Sequence, residues 1–171
     1  MAEVVVAAGL TEETLKTLLD SISSVSRKIA IGIANETPYK WEALNTYFVS
    51  GTSESVLPEF VTKGNVALYT AKKRSGPVAT RSVGVFAYYM KGAHKTIAVM
   101  FSVTFDNNIF SNWWNVKIYP GKERATHDMY KSMYYNDPFK GDNSWHIENV
   151  NGFQVKGTMT NCGVFIAVTY Q

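Results

Sequence analysis

The chain holds almost none of the residues from which covalent, metal or nucleophilic chemistry is usually built. It has one cysteine, Cys162, and three histidines, His94, His127 and His146. A single cysteine excludes an intramolecular disulfide framework and any zinc centre made from several thiolates. Cys162 reads instead as a small buried hydrophobe in a late strand. None of the histidines lies in a nucleophile, metal or phosphate-loop motif, and Thr126-His127-Asp128 is too short a match to count as catalytic. Gly51, Gly76, Gly84 and Gly92 each stand alone as turn or strand glycines, so a glycine-rich phosphate cradle is missing as well. The sequence therefore predicts a protein that is not an enzyme and needs neither a metal nor a cofactor.

Long apolar runs are also lacking, since nothing approaches the ~18 consecutive apolar residues of a transmembrane helix. The opening Met-Ala-Glu and the Val4-to-Leu10 stretch carry no basic n-region and are too short for a convincing secretory signal. Charged residues make up 18% against 46% apolar, with a net charge of +3, which predicts a globular chain that mildly favours anionic surfaces. The clustered Lys/Arg stripe of a duplex DNA reader is absent, so no nucleic-acid partner is expected. With 171 residues, positions 1–171 suit one domain with its own core.

What the chain does have is a dense set of rings. Between Ser102 and Tyr135 lie Phe105, Ile109, Phe110, Trp113, Trp114, Tyr119, Tyr130, Tyr134 and Tyr135, beside Lys117, Lys122, Arg124 and Lys131. Trp and Tyr join an apolar body to a polar edge and partition to the water–lipid interface. A quaternary ammonium needs a cage of ring faces, and a phosphate needs hydroxyl donors. Tyr130, Tyr134, Tyr135 and Trp113 offer the rings; Ser50, Ser102 and the phenols offer the donors. The competing reading of each ring is that it fills a core or a helix–sheet seam.

Two periods organise the rest. Leu15, Leu18, Leu19, Ile22 and Val25 recur at spacings of three and four, predicting an amphipathic helix near 11–24 capped by Thr11. Extending the wheel backwards adds Val4 and Ala8 to the same face, although the β-branched run there has poor helix propensity. From Arg27 the period becomes two: Ile29, Ile31 and Ile33 alternate with Lys28, Ala30 and Gly32 as in a half-buried strand. Further strands are expected at 41–50, 65–70, 82–90, 96–105, 114–119, 145–149, 153–160 and 164–169, with a second short helix within 123–135. Many strands with short connections predict a mainly β fold, a compact β-sandwich.

Several stretches resemble the actinoporins, the pore-forming cytolysins of sea anemones. They include Arg27-Lys28-Ile29-Ala30-Ile31-Gly32, Asn45-Thr46-Tyr47-Phe48, Ser50-Gly51-Thr52-Ser53, Gly76-Pro77-Val78-Ala79-Thr80, Ser111-Asn112-Trp113-Trp114-Asn115-Val116 and Tyr134-Tyr135-Asn136, in the expected order along nearly the whole chain. The resemblance implies a β-sandwich flanked by two short α-helices, the N-terminal one amphipathic, with a pore-forming segment at 1–26 and the sandwich at 27–171. It implies a soluble, secreted monomer, stored in the nematocyst in a cnidarian, that binds sphingomyelin-containing membranes, forms a homo-oligomer and inserts its N-terminal helix. The headgroup pocket would fall on Ser50, Val83, Ser102, Trp113, Tyr130, Tyr134 and Tyr135. The membrane-anchoring loop would carry Phe105, Ile109, Phe110 and Trp113.

Departures from the family pattern bear on lipid choice. Val49 stands where an Arg is usual, Thr104 where a Pro is usual, Ile109 for a Trp and Phe110 for a Tyr. A lost cation and a lost phenol weaken the expected recognition of phosphate and choline and point to another sphingolipid such as sulfatide. Lys140 replaces the Arg of an Arg-Gly-Asp tripeptide, and Lys140-Gly141-Asp142 reads as a structural loop. In a pore, Val4, Leu15, Leu18, Leu19 and Ile22 would face lipid while Glu3, Glu13, Lys16 and Asp20 line water, predicting cation selectivity. The alternative is a lectin-like module that binds a lipid or carbohydrate headgroup without making a pore. Asn35-Glu36-Thr37 is a formal glycosylation sequon followed by Pro38.

Overall fold

A computed structural model describes residues 28–53, 55–72, 81–104, 112–142, 144–159 and 163–170, together with the backbone of 4–7. Its strands are β1 (Val4–Ala7), β2 (Lys28–Glu36), β3 (Lys40–Ser50), β4 (Thr52–Ser53), β5 (Phe60–Val61), β6 (Asn65–Lys72), β7 (Arg81–Lys91), β8 (Lys95–Thr104) and β9 (Trp113–Pro120). Helix α1 (His127–Tyr134) follows, then β10 (Phe139–Lys140), β11 (Trp145–Val150), β12 (Phe153–Met159) and β13 (Gly163–Tyr170). One sheet runs β1-β6-β2-β13-β12-β11, with β4 also on β6; the other runs β10-β9-β8-β7-β3-β5. Face to face they make the expected β-sandwich.

The period-two pattern decides the core. Ile29, Ile31 and Ile33 of β2 meet Phe86 and Tyr88 of β7, Val99 and Phe101 of β8, and Trp114, Val116 and Ile118 of β9 across the sheet interface. Strand β2 is nevertheless not half-buried as its alternation suggests. Ala30 and Ala34, on its other face, are buried too, in a cluster with Val66, Leu68, Phe165 and Ala167. Those neighbours stand beside them on β6 and β13, so the alternation of β2 separates two buried faces and not core from solvent.

The predicted N-terminal helix at 11–24 lies outside the described residues. Val4, placed on that helix's lipid-facing side by the wheel, instead belongs to β1, which pairs antiparallel with β6 from Val4↔Leu68 to Ala7↔Asn65. Three consecutive β-branched valines favour the pleated conformation over the helix when a sheet edge is available.

Helix α1 sits on the outer face of the second sheet. Met129, Tyr130 and Met133 pack on Val83, Val85 and Ala87 of β7 and on Ala98 and Met100 of β8. Thr126 is the N-cap, its hydroxyl accepting from the Met129 N–H at 3.2 Å. Two asparagines hold the helix to the sheet. Asn45 of β3 donates to the Ala125 carbonyl at 2.9 Å and accepts from the Ala125 N–H at 2.7 Å. Asn115 of β9, fully buried, donates to the carbonyls of Met133 at 2.9 Å and Asn136 at 3.3 Å and accepts from the Val116 N–H at 2.9 Å. Thr126-His127-Asp128 is thus a helix start, with Asp128 in the first turn and His127 against Tyr47.

The sequon is likewise structural. Asn35 is completely buried, and its amide donates to the carbonyls of Tyr39 and Val61, both at 2.8 Å, while Thr37 bonds its oxygen. A sugar at Asn35 is incompatible with the folded turn.

Candidate functional site

Strand register brings four of the expected pocket residues into one line. On the second sheet Ser50 opposes Val83, Val83 opposes Ser102, and Ser102 opposes Trp113. Directly opposed side chains stand ~4.5–5.5 Å apart, so residues separated by up to 63 positions form a single row across β3, β7, β8 and β9. Alternation points this row outward, because Val83 and Met100 face α1 while Gly84 and Phe101 face the core. Gly84 has to be small: a Cβ there would lie 2.5 Å from the Tyr47 carbonyl oxygen and 3.1 Å from the Phe101 ring.

Helix α1 packs Tyr130 and Tyr134 against the cluster that holds Val83 of that row. Tyr130 and Tyr134, at helical offset, stack at 5.6 Å and 22°, and Tyr134 meets Tyr135 edge-on at 5.0 Å and 87°. Two ring faces at right angles form the corner of a cage suited to a quaternary ammonium. Exposure grades outward, from Val83 at 2%, Ser102 at 6% and Tyr130 at 9% to Tyr135 at 73%, so the site has a closed floor and an open mouth. Tyr130 hydrogen-bonds Ser102, and burial, reinforced by Tyr134 and Tyr135, pushes its phenol up to about 12. The phenol therefore remains a neutral donor at physiological pH. Arg81 and the Ser102 bond pull in the opposite direction.

Not every ring of the aromatic region belongs here. Trp114 is fully buried against Phe139 at 4.6 Å, with Gly157 leaving space for its ring. Tyr119 is half-buried against the α1 cluster. The cations disperse: Lys117 pairs with Glu148 at 3.7 Å, and Lys122 lies over Tyr89 at 5.3 Å. Phe105, Ile109 and Phe110 of the anchoring loop lie outside the described residues, as do Glu3, Glu13, Lys16 and Asp20 and the lipid-facing Leu15, Leu18, Leu19 and Ile22.

The loop beside the row is built for rigidity. Gly141 donates to the Asn112 carbonyl at 2.8 Å, and a Cβ on it would meet the Met159 sulfur at 2.5 Å. Asp142 accepts from the Ser144 N–H at 3.1 Å and faces His146 at 3.5 Å; the Ser144 bonds and His146 hold its carboxyl below the usual range against a smaller opposing effect of burial. Asn112 in turn accepts from the Thr104 N–H at 2.9 Å. Lys140-Gly141-Asp142 is thus a structural loop tied through Gly141 to Asn112 and, through Asn112, to the end of β8.

The sequence model of the family described as sea anemone cytotoxic protein matches residues 1–169. The chain belongs to that family. Among its relatives, DELTA-stichotoxin-Hcr4b of Radianthus crispa is 50% identical over 159 residues, covering 92% of this chain and 89% of the relative. DELTA-actitoxin-Aeq1a of Actinia equina is 51% identical over 162 residues, covering 94% and 75%. The crystal structure of the lipid binding protein Nakanori superposes with a TM-score of 0.64 at 12% identity, covering 93% of this chain and 78% of that one, a likeness of fold. The actinoporin resemblance is therefore membership, and it supports a pore-forming cytolysin, not an enzyme.

One cation beside this row is not among the residues that the sequence marks. Arg81 opens β7 two residues before Val83, on the same face of the sheet. Its signal was available only in hindsight, as a lone cation at a strand end.

Proposed function

We propose that this protein is secreted as a soluble monomer, docks on sphingolipid-containing membranes through the face bearing Ser50, Val83, Ser102, Trp113, Tyr130, Tyr134 and Tyr135, and assembles into a homo-oligomeric pore. The observation that carries this reading is the single register row, to which Tyr130 bonds through Ser102 while Tyr134 and Tyr135 form a ring corner next to it. Hydroxyls line its floor for headgroup oxygens and rings line its mouth for a cationic or apolar group.

Segment 1–26 supplies the pore wall. At 1.5 Å per residue it makes a helix of about 39 Å, enough to cross a ~30 Å hydrocarbon core at a tilt. A charge at the bilayer centre costs about 2.5–3.5 kcal/mol, so Glu3, Glu13, Lys16 and Asp20 oppose insertion of a lone helix. Several copies resolve the conflict by turning those residues to a shared lumen and Leu15, Leu18, Leu19 and Ile22 to lipid. Three acidic residues against one lysine make that lumen cation-selective. Before this, β1 must leave β6, which frees Val4 to join the helical face.

Dye release from phosphatidylcholine liposomes with and without sphingomyelin or sulfatide tests the reading. Release only when a sphingolipid is present is the expected result. Binding without release from any composition would favour the lectin-like module, and reversal potentials showing anion preference would contradict the lumen assignment.

A further inference from the structure

We propose that Arg81 is the cation of the headgroup site, binding a phosphate or sulfate oxygen of the sphingolipid in place of the Arg that Val49 has lost. The inference rests on the membrane-docking reading and names the residue that sets its headgroup preference. Arg81 lies ~7 Å along β7 from Val83 on the same outward face, at the strand end where the row opens to solvent. Its cross-strand partner is Thr104, the residue that stands for the usual Pro. Its carbonyl accepts the Ser50 hydroxyl at 3.4 Å, tying its backbone to the first member of the row.

The side chain is exposed, so an arriving headgroup can reach it. Its charge is also felt inside the pocket, where it favours the ionised form of the Tyr130 phenol. By contrast Val49, on β3, presents an apolar side chain that is 41% exposed. A guanidinium offers parallel N–H donors to one oxyanion, which an ammonium point charge does not. Beside it Ser50 and Tyr130 supply neutral hydroxyls, and the tyrosine corner remains for the rest of the headgroup. The cation missing from position 49 is thus restored from the neighbouring strand.

The test measures vesicle affinity of the full chain and of Arg81→Gln, Arg81→Lys and Lys122→Gln. Lys122 is the control cation, lying by Tyr89 near the opposite end of β7. Vesicles contain sphingomyelin, sulfatide or galactosylceramide, the last being sulfatide without its sulfate. Arg81→Gln should bind sphingomyelin and sulfatide vesicles about tenfold more weakly or worse, the usual effect of losing a charged hydrogen bond. Galactosylceramide binding, at whatever level it occurs, should change less than about twofold. Arg81→Lys should fall between, Lys122→Gln should match wild type, and Val49→Arg added to Arg81→Gln should recover affinity. Melting curves of the two Arg81 variants confirm that binding is read on folded protein. Equal binding of Arg81→Gln and wild type, or equal loss with Lys122→Gln or on galactosylceramide, overturns the proposal while leaving membrane docking intact. Failure of wild type to bind any of the three overturns both.

Discussion

Replacing Asn115 with leucine should uncouple helix α1 from the sheet, because the two side chains share a branched outline but leucine can neither donate nor accept. The substitution strips the Met133 carbonyl and the Val116 N–H of their 2.9 Å partners in a fully buried place; the Asn136 carbonyl, bonded at 3.3 Å, is only partly buried and can turn to water. A buried polar group left unpaired costs about 1–3 kcal/mol. Two such groups cost about 2–6 kcal/mol, and less the added apolar burial of about 1–2 kcal/mol they give a net loss of about 1–4 kcal/mol, a large share of the ~5–15 kcal/mol that holds a typical domain. For a chain of this size that corresponds to a fall in Tm of roughly 2–16 °C. Urea unfolding followed by tryptophan fluorescence measures the loss as a lower midpoint with an unchanged slope. Because the carbonyls released belong to the end of α1 that carries Tyr134 and Tyr135, vesicle affinity should fall in parallel under conditions where the protein remains folded. A midpoint within error of wild type would refute the claim that Asn115 anchors the helix.

The Tyr130 phenol gives a pH prediction. Its pKa in the folded chain is raised by burial to about 12, above the ~10 of an unfolded tyrosine. Its contribution is therefore fully present below pH ~10 and lost as pH rises through about 12; difference absorbance of phenolate should show a late-titrating fraction, to which Tyr39, Tyr69 and Tyr119 also contribute, that is smaller by one phenol in Tyr130→Phe. If Tyr130→Phe retains the full late amplitude, the assignment is wrong. A cysteine pair at Val5 and Ala67, opposed in the β1–β6 register, placed in a Cys162→Ser background, should block dye release when oxidised and restore it on reduction. Undiminished release with the bridge closed would show that β1 need not leave.

The long strands were legible because each carries its own period. Ile29, Ile31 and Ile33 announce a buried face without reference to any partner. Short strands such as β4, β5 and β10 carry two residues each, too few for a pattern, and exist only because β6, β3 and β9 pair with them. The burial of both faces of β2 was illegible for a similar reason: Ala30 and Ala34 look neutral until β6 and β13 set Val66, Leu68, Phe165 and Ala167 beside them. Within the site, motif resemblance found Ser50 and Trp113 but not the register that joins them. Arg81 was missed because its proximity to Ser50 spans 31 positions and depends on strand pairing. Adjacent Trp113 and Trp114 illustrate the remedy, since alternation sends one toward the headgroup row and the other into the core.

The fold distributes its stability according to what each part is asked to do. The proposed docking site rests on the central strands β7 and β8, on the Tyr134–Tyr135 edge-to-face pair, and on the two asparagines that fasten α1 at either end. None of that has to change when the protein meets a membrane. Strand β1, by contrast, is four residues long and, among the described residues, lies at the edge of its sheet and pairs with β6 alone. Edge segments of that size open at far lower free energy than the core strands that govern global unfolding. In the proposed docking, binding energy collected at the register row is consequently not spent on reorganising it. Among the described residues, the proposed release of the N-terminal strand breaks a ladder of four residue pairs whose valines are as compatible with lipid as with the sheet.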